Sequence, residues 1–169
     1  MQNKKVLYLS QAAMIAALYV VLTMIANALG LANQAIQLRF SEALTILPFF
    51  TPAAIPGLFV GCIISNVMAG GILLDVVFGS IATLIGAFGT YALRHTAQGQ
   101  FVRRALLALP PVAANTVIVP FVLKYGYGIP TSMLFNAFTV CVGEALSCGV
   151  LGLLLIAVLE KYKNVIFTP

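Results

Sequence analysis

The sequence predicts an all-α integral membrane protein built as a bundle of six transmembrane helices. Hydrophobic residues make up 62% of its 169 residues and charged residues only 8%, whereas soluble domains carry roughly 25% charged residues. Apolar runs of about 20 residues, the length that crosses a bilayer, recur along the chain. These runs are continuous rather than alternating, which disfavours a β-barrel.

Proline, glycine and charged residues divide the apolar sequence into six spans within a single domain covering residues 1–169. The pair Gly70-Gly71 is a turn signal that ends the third span. The second and third spans are short and contain or border prolines, so five full spans plus a re-entrant segment is an alternative. The predicted spans are residues 6–29, 32–50, 54–69, 72–93, 105–123 and 131–159.

Lysine and arginine are distributed unequally between the two sides of the predicted bundle. Six spans place seven basic residues on the side of the termini and two on the other. The positive-inside rule therefore predicts a multi-pass protein of the cell membrane with both termini in the cytoplasm. We interpret the net charge of +5 as this orientation signal and expect no nucleic-acid binding. The seven are Lys4, Lys5, Arg94, Arg103, Arg104, Lys161 and Lys163, and the two are Arg39 and Lys124.

Small residues form a strip on the first span. Ala12 with Ala16, and Ala13 with Ala17, are two small-xxx-small pairs, a spacing that lets another helix approach closely. Packing inside the bundle and docking of a partner helix both explain this strip. We expect the span to be retained, because its apolar run is long for a signal peptide.

Three of the four acidic residues lie inside apolar stretches. They are Glu42, Asp75 and Glu144. An ionised group at the bilayer centre costs about 2.5–3.5 kcal/mol and usually faces a partner, a cavity or a ligand. Arg39 could neutralise Glu42 on one helix, or lie in an outer loop if Ser41 caps a short helix. Asp75 lies early in its span, where a helix-dipole or capping role competes with ligand contact.

Other polar residues collect in the same, outer half of the predicted bundle. On the sixth span Asn136, Thr139, Gly143, Glu144 and Ser147 share an arc of about 140°. Asn115 lies in the outer half of the fifth span. Interhelical hydrogen bonding explains such a stripe as well as a substrate wall does. Because the inner halves carry few polar groups, the pattern predicts a pocket open to the outside rather than a continuous ion path.

The sequence lacks the motifs of the common membrane enzymes and ATPases. It contains no GxxxxGK[ST], HExxH or GxSxG segment, and the single histidine, His95, falls in a predicted cytoplasmic loop. The three cysteines lack CxxC or Cys/His spacing. We therefore expect a protein that is not an enzyme, with no cofactor, no metal site and small buried thiols at Cys62, Cys141 and Cys148.

Several segments resemble the queuosine-precursor transporter family of QueT type. They are LRFSEALT at 38–45, TPAAIPGL at 51–58, DVVFGSIATL at 75–84 and Gly143-Glu144 in the last span. The resemblance covers most of the chain. It implies the substrate-binding S component of an energy-coupling factor (ECF) transporter, with six helices and an outward-facing pocket for a 7-deazaguanine base such as queuine or a biosynthetic precursor.

The resemblance also implies partners and roles for individual residues. The alanine strip would dock a membrane-embedded T component driven by two cytoplasmic ATPases, which would use the ATP. Glu42 or Glu144 would accept the N–H groups of the base in bidentate fashion. A stand-alone secondary transporter or channel, and a scaffold without a ligand, remain alternatives. The other predicted substrate contacts are Arg39, Asp75, Asn115 and Asn136, with Phe40, Phe49 or Tyr127 stacking on the ring.

Overall fold

The computed structural model describes residues 4–31, 37–96 and 104–166. Over these residues the chain forms six helices and no strand, which confirms the predicted number of helices. Residue 32, where the second span was predicted to begin, and Arg103 lie outside the described residues, as does the side chain of Lys163. The helices are α1 (Lys4–Ala28), α2 (Phe40–Phe49), α3 (Ala54–Met68), α4 (Leu73–Leu93), α5 (Leu106–Gly126) and α6 (residues 133–166, with a π-helical segment at Ala145–Leu151).

Four of these helices, α1, α4, α5 and α6, are long and apolar enough to cross a membrane. The other two, α2 and α3, contain 10 and 15 residues. Because α2 is a 3-10 helix rising about 2.0 Å per residue, it spans roughly 20 Å, and α3 spans roughly 22 Å. Both lengths fall short of the ~30 Å hydrocarbon core. The second and third apolar segments are therefore short, as predicted.

Helix α2 lies in the interior of the bundle. Its residues 41–48 are all buried, and Leu44 and Leu47 pack in one apolar cluster with Leu58 of α3. Backbone groups that a short helix leaves unpaired are tolerated at membrane depth only where protein surrounds them. The surrounding helices thus allow α2 to be short.

The residues before α2 follow the loop alternative of the sequence prediction. Arg39 has an extended backbone and precedes the first turn, and no side chain caps that turn. Ser41 accepts a hydrogen bond from the Thr23 hydroxyl at 2.9 Å instead of capping the helix. The predicted Ser41 cap is therefore wrong, because the helix begins at Phe40 and Ser41 already lies in its first turn.

Helices α1 and α3 pack at very short distance. A Cβ atom on Gly57 would lie 2.7 Å from the Ala12 carbonyl oxygen, and one on Gly61 would lie 3.0 Å from the Ala16 Cα. Both alanines are buried. Small residues on both helices allow this approach, as in other membrane helix pairs.

An ion pair joins the start of α5 to the end of α6. Arg104 Nη1 lies 2.6 Å from Glu160 Oε2, and both side chains are partly exposed. Partly exposed pairs contribute up to about 1 kcal/mol. We therefore expect Glu160→Gln to change the midpoint of thermal unfolding only slightly, and a large loss of stability in that measurement would contradict this.

Candidate functional site

A cavity of about 660 Å³ opens between α1, the segment before α2, the α3–α4 turn and the end of α5. Small-molecule sites typically measure roughly 300–1,000 Å³. Polar side chains contribute much of the wall, in contrast to the apolar exterior of the helices. They include Asn27, Gln37, Arg39, Asn66, Asp75 and Tyr127.

The turn between α3 and α4 positions two of these residues. Gly70 has a positive φ of 74°, a conformation that glycine adopts without steric cost, and the predicted turn is confirmed. The Gly71 N–H donates to the Asn66 carbonyl at 2.8 Å. As a result the Asn66 amide lies beside the first turn of α4, where its Nδ2 donates to the Asp75 carbonyl oxygen at 3.4 Å.

Asp75 presents a partly free carboxylate to the cavity. Its Oδ2 accepts a hydrogen bond from the Tyr127 hydroxyl at 2.9 Å. Burial raises the pKa of the Tyr127 hydroxyl, and the nearby Asp75 carboxylate raises it further, so this hydroxyl stays a donor. No described residue donates to Oδ1, and the carboxylate caps no backbone N–H of α4. An acceptor oxygen is therefore available to a ligand.

Arg39 supplies the opposite charge on the cavity wall. Its backbone N–H donates to the Ser147 hydroxyl at 3.3 Å, which ties the extended segment to α6. The Asp75, Glu42 and Glu144 carboxylates all interact favourably with its positive charge, yet no ion pair within 4.0 Å joins the described side chains of Arg39 and Asp75. A positively and a negatively charged residue therefore line the same cavity without forming an ion pair with each other.

Glu42 and Glu144 lie next to each other but outside the cavity lining. They are 1% and 7% exposed. The Tyr19 hydroxyl donates to Glu42 Oε1, and the Cys148 thiol donates to Glu144 Oε2 at 3.2 Å. Tyr19 is one helical turn along α1 from Thr23, a cavity residue. The acidic cluster therefore forms a second polar centre close to the cavity.

The remaining predicted contacts also lie outside the cavity lining. Asn136 Oδ1 accepts a hydrogen bond from the Thr131 hydroxyl. Asn115 neighbours the Glu144 carboxyl. The Nδ2 atoms of both asparagines are buried without a hydrogen-bond partner, and Phe40 is half-buried.

Three of the predicted substrate contacts line the cavity, namely Arg39, Asp75 and Tyr127. Other lining residues were not predicted. Gln37 and Asn27 carry no motif and were not predicted. Tyr19 had a usable signal, because a tyrosine hydroxyl within an apolar span normally requires a hydrogen-bond partner.

The alanine strip of α1 divides between two environments. Ala12 and Ala16 face α3 inside the bundle, whereas Ala13 and Ala17 are exposed. Part of the strip therefore serves internal packing, and the exposed pair alone is left for an external partner.

Comparison with known proteins extends these observations. The model of the QueT transporter family matches residues 9–161, most of the chain. The chain belongs to the QueT transporter family. This confirms the resemblance read from the sequence, and because the family consists of transporters, the chain is not an enzyme. The six polar cavity residues named above and Thr23 all fall within the matched QueT region.

One relative within the QueT family carries a more specific description. The queuosine precursor transporter QueT of Lactococcus lactis subsp. cremoris (strain MG1363) is 35% identical over 85 residues. The match covers 50% of this chain and 50% of the relative, so it spans half the length of the curated relative. No solved structure matches the chain. QueT membership together with the apolar helices indicates a multi-pass membrane protein.

Proposed function

We propose that this QueT-family chain is the substrate-binding S component of an ECF importer and binds a 7-deazaguanine base, a queuosine precursor, in the cavity. The observation that carries the proposal is the separated pair of charges, Arg39 and Asp75, on the wall of a cavity of about 660 Å³. A guanine-like base presents N–H donors next to a carbonyl acceptor. Its recognition therefore needs both kinds of group at once.

Asp75 is the residue we assign to the donor edge of the base. Its carboxylate lines the cavity, and a carboxylate accepts two parallel N–H groups in bidentate fashion. The Arg39 guanidinium is the matching donor for the base carbonyl. Glu42 and Glu144, the acceptors predicted from sequence, lie outside the lining, and their role in base binding stays a prediction that the same titration tests with glutamine variants.

The proposal is tested by titrating a 7-deazaguanine base into the purified full chain in nanodiscs, without an ion gradient, by calorimetry. We expect saturable binding of one base per chain. Absence of binding would overturn the proposed substrate. Uptake into proteoliposomes by the chain alone, driven by an ion gradient, would favour the alternative of a stand-alone transporter.

The energy for transport is proposed to come from partners, a T component and two ATPases, with both termini of this chain in the cytoplasm. The chain carries no nucleotide-binding motif of the P-loop type. Ala13 and Ala17 leave a flat exposed strip on α1, and small residues favour close helix association in membranes. This strip is the proposed docking surface for the T component.

Ala17→Trp is expected to reduce recovery of the chain with co-expressed T component and ATPases by at least about tenfold, equivalent to ~1.4 kcal/mol. A bulky ring on the strip would keep a partner helix at a distance, while the cavity lies on other residues. Co-purification and base titration measure the two effects separately. The matched control is Ile85→Trp, at an exposed position of α4. Normal recovery of the Ala17 variant would show that docking uses another surface.

A further inference from the structure

The acidic cluster next to the cavity consists of Glu42 and Glu144, and the Cys148 thiol lies beside it. All three side chains are of kinds that can bind a metal ion. Glu42 at the start of α2 faces Glu144 and Cys148, which lie one turn apart on α6. One ligand atom from each residue lies within 4.8 Å of the other two. All three residues are buried, with exposures of 1%, 7% and 1%.

One carboxyl oxygen in this cluster has no hydrogen-bond partner. Glu42 Oε1 accepts from the Tyr19 hydroxyl, but Glu42 Oε2 is buried without any hydrogen bond. Leaving a buried polar atom unsatisfied is costly. The adjacent Asn115 side chain interacts with the Glu144 carboxyl, so Glu42 Oε2 is the atom left over. Glu42 Oε2 is therefore an acceptor atom that a ligand can use.

We propose that Glu42, Glu144 and Cys148 form a binding site for a divalent transition metal ion of the zinc class. A thiolate with two carboxylates suits zinc and its relatives, whereas magnesium and calcium prefer oxygen ligands only. Ligands of a tetrahedral zinc ion lie roughly 3.4 Å apart, so small side-chain rotations bring the three donors into range. The sequence predicted no metal site because it lacks Cys/His spacing, and Glu42 joins Glu144 and Cys148 only in the folded chain.

The surroundings of the cluster complete such a site. Two carboxylates and one thiolate around a divalent ion leave one negative charge, and the Arg39 guanidinium interacts electrostatically with both glutamates. Hydrogen bonds from outside the metal shell orient ligands. The Tyr19 hydroxyl plays this role for Glu42, and the Thr45 hydroxyl lies 3.4 Å from Cys148 Sγ. Binding releases to solvent the thiol proton and any proton held by the two carboxyls, so that all three ligands are deprotonated.

Cobalt titration of the purified full chain in nanodiscs, with no base added, tests the site. We expect one Co²⁺ per chain and a sulfur-to-cobalt charge-transfer absorption band, with Zn²⁺ displacing the cobalt. Cys148→Ser should abolish the band, and Glu144→Gln or Glu42→Gln should weaken binding by at least about tenfold. Cys141→Ser and Cys62→Ser are the matched controls, because these cysteines lie outside the cluster and should leave the band unchanged.

Absence of saturable cobalt or zinc binding by the unaltered chain would overturn the site, as would a band that persists in Cys148→Ser. Thermal unfolding of each variant without metal separates loss of the ligand from loss of the fold, and the unaltered chain decides the question if a variant does not fold. Because no base is present, failure of this experiment leaves the proposed transport function standing. Failure of base binding likewise leaves the metal site standing.

Discussion

Replacing Asp75 with asparagine is expected to weaken binding of a 7-deazaguanine base by roughly ten- to hundredfold. Hydrogen bonds to a charged group contribute about 1.5–3 kcal/mol, and each 1.4 kcal/mol changes affinity about tenfold. The substitution keeps the size of the side chain but replaces one acceptor oxygen with a donor NH₂ group. It also removes one of the negative charges that stabilise the Arg39 guanidinium. Calorimetric titration in nanodiscs measures the loss.

Two controls make this result specific to the cavity. Glu160→Gln removes a carboxylate that is paired with Arg104, at the other end of α5 from Tyr127, and should bind the base normally. Tyr127→Phe removes one hydrogen bond to Asp75 Oδ2 and should cost less than the Asp75 change. Equal affinity of Asp75→Asn and the unaltered chain would show that another group receives the base.

The fold was predictable from apolar run length where a helix must cross lipid unaided. Helices α1, α4, α5 and α6 satisfy that condition, and their predicted positions agree with the structure. Helix α2 does not, because its neighbours shield it and its length is set by packing. A 3-10 helix with Pro48 inside therefore could not be predicted from apolar run length.

The sequence predicted which residues are energetically costly in a membrane, but it did not predict how these residues are arranged around the cavity. Placing a charged residue in a membrane costs free energy, and this cost alone made candidates of four residues: Arg39, Asp75, Glu42 and Glu144. Which carboxylate faces the cavity depends on helix rotation and on where α2 begins, and neither follows from depth in the membrane. Glu42 and Glu144 were therefore the predicted acceptors for the base, whereas Asp75 lines the cavity.

Gly61→Leu is expected to destabilise the bundle by about 3 kcal/mol and to remove base binding. A Cβ atom at this position would lie 2.8 Å from Tyr19 Cβ and 3.0 Å from the Ala16 Cα. The obstructing atoms are backbone or next to it, so α1 as a whole must move, and overpacking of this kind costs about 1–3 kcal/mol or more. Such a shift also displaces Thr23 from the cavity wall.

Gly149→Leu is the matched control for this prediction. A Cβ atom on Gly149 meets no atom within 4 Å, and leucine favours a helix over glycine by up to about 1 kcal/mol. This variant should therefore unfold at the same temperature as the unaltered chain or higher. The midpoint of thermal unfolding in nanodiscs and the base titration measure both variants. If Gly61→Leu were as stable as Gly149→Leu and still bound the base, close contact of α1 with α3 would not be what holds α1 at the cavity.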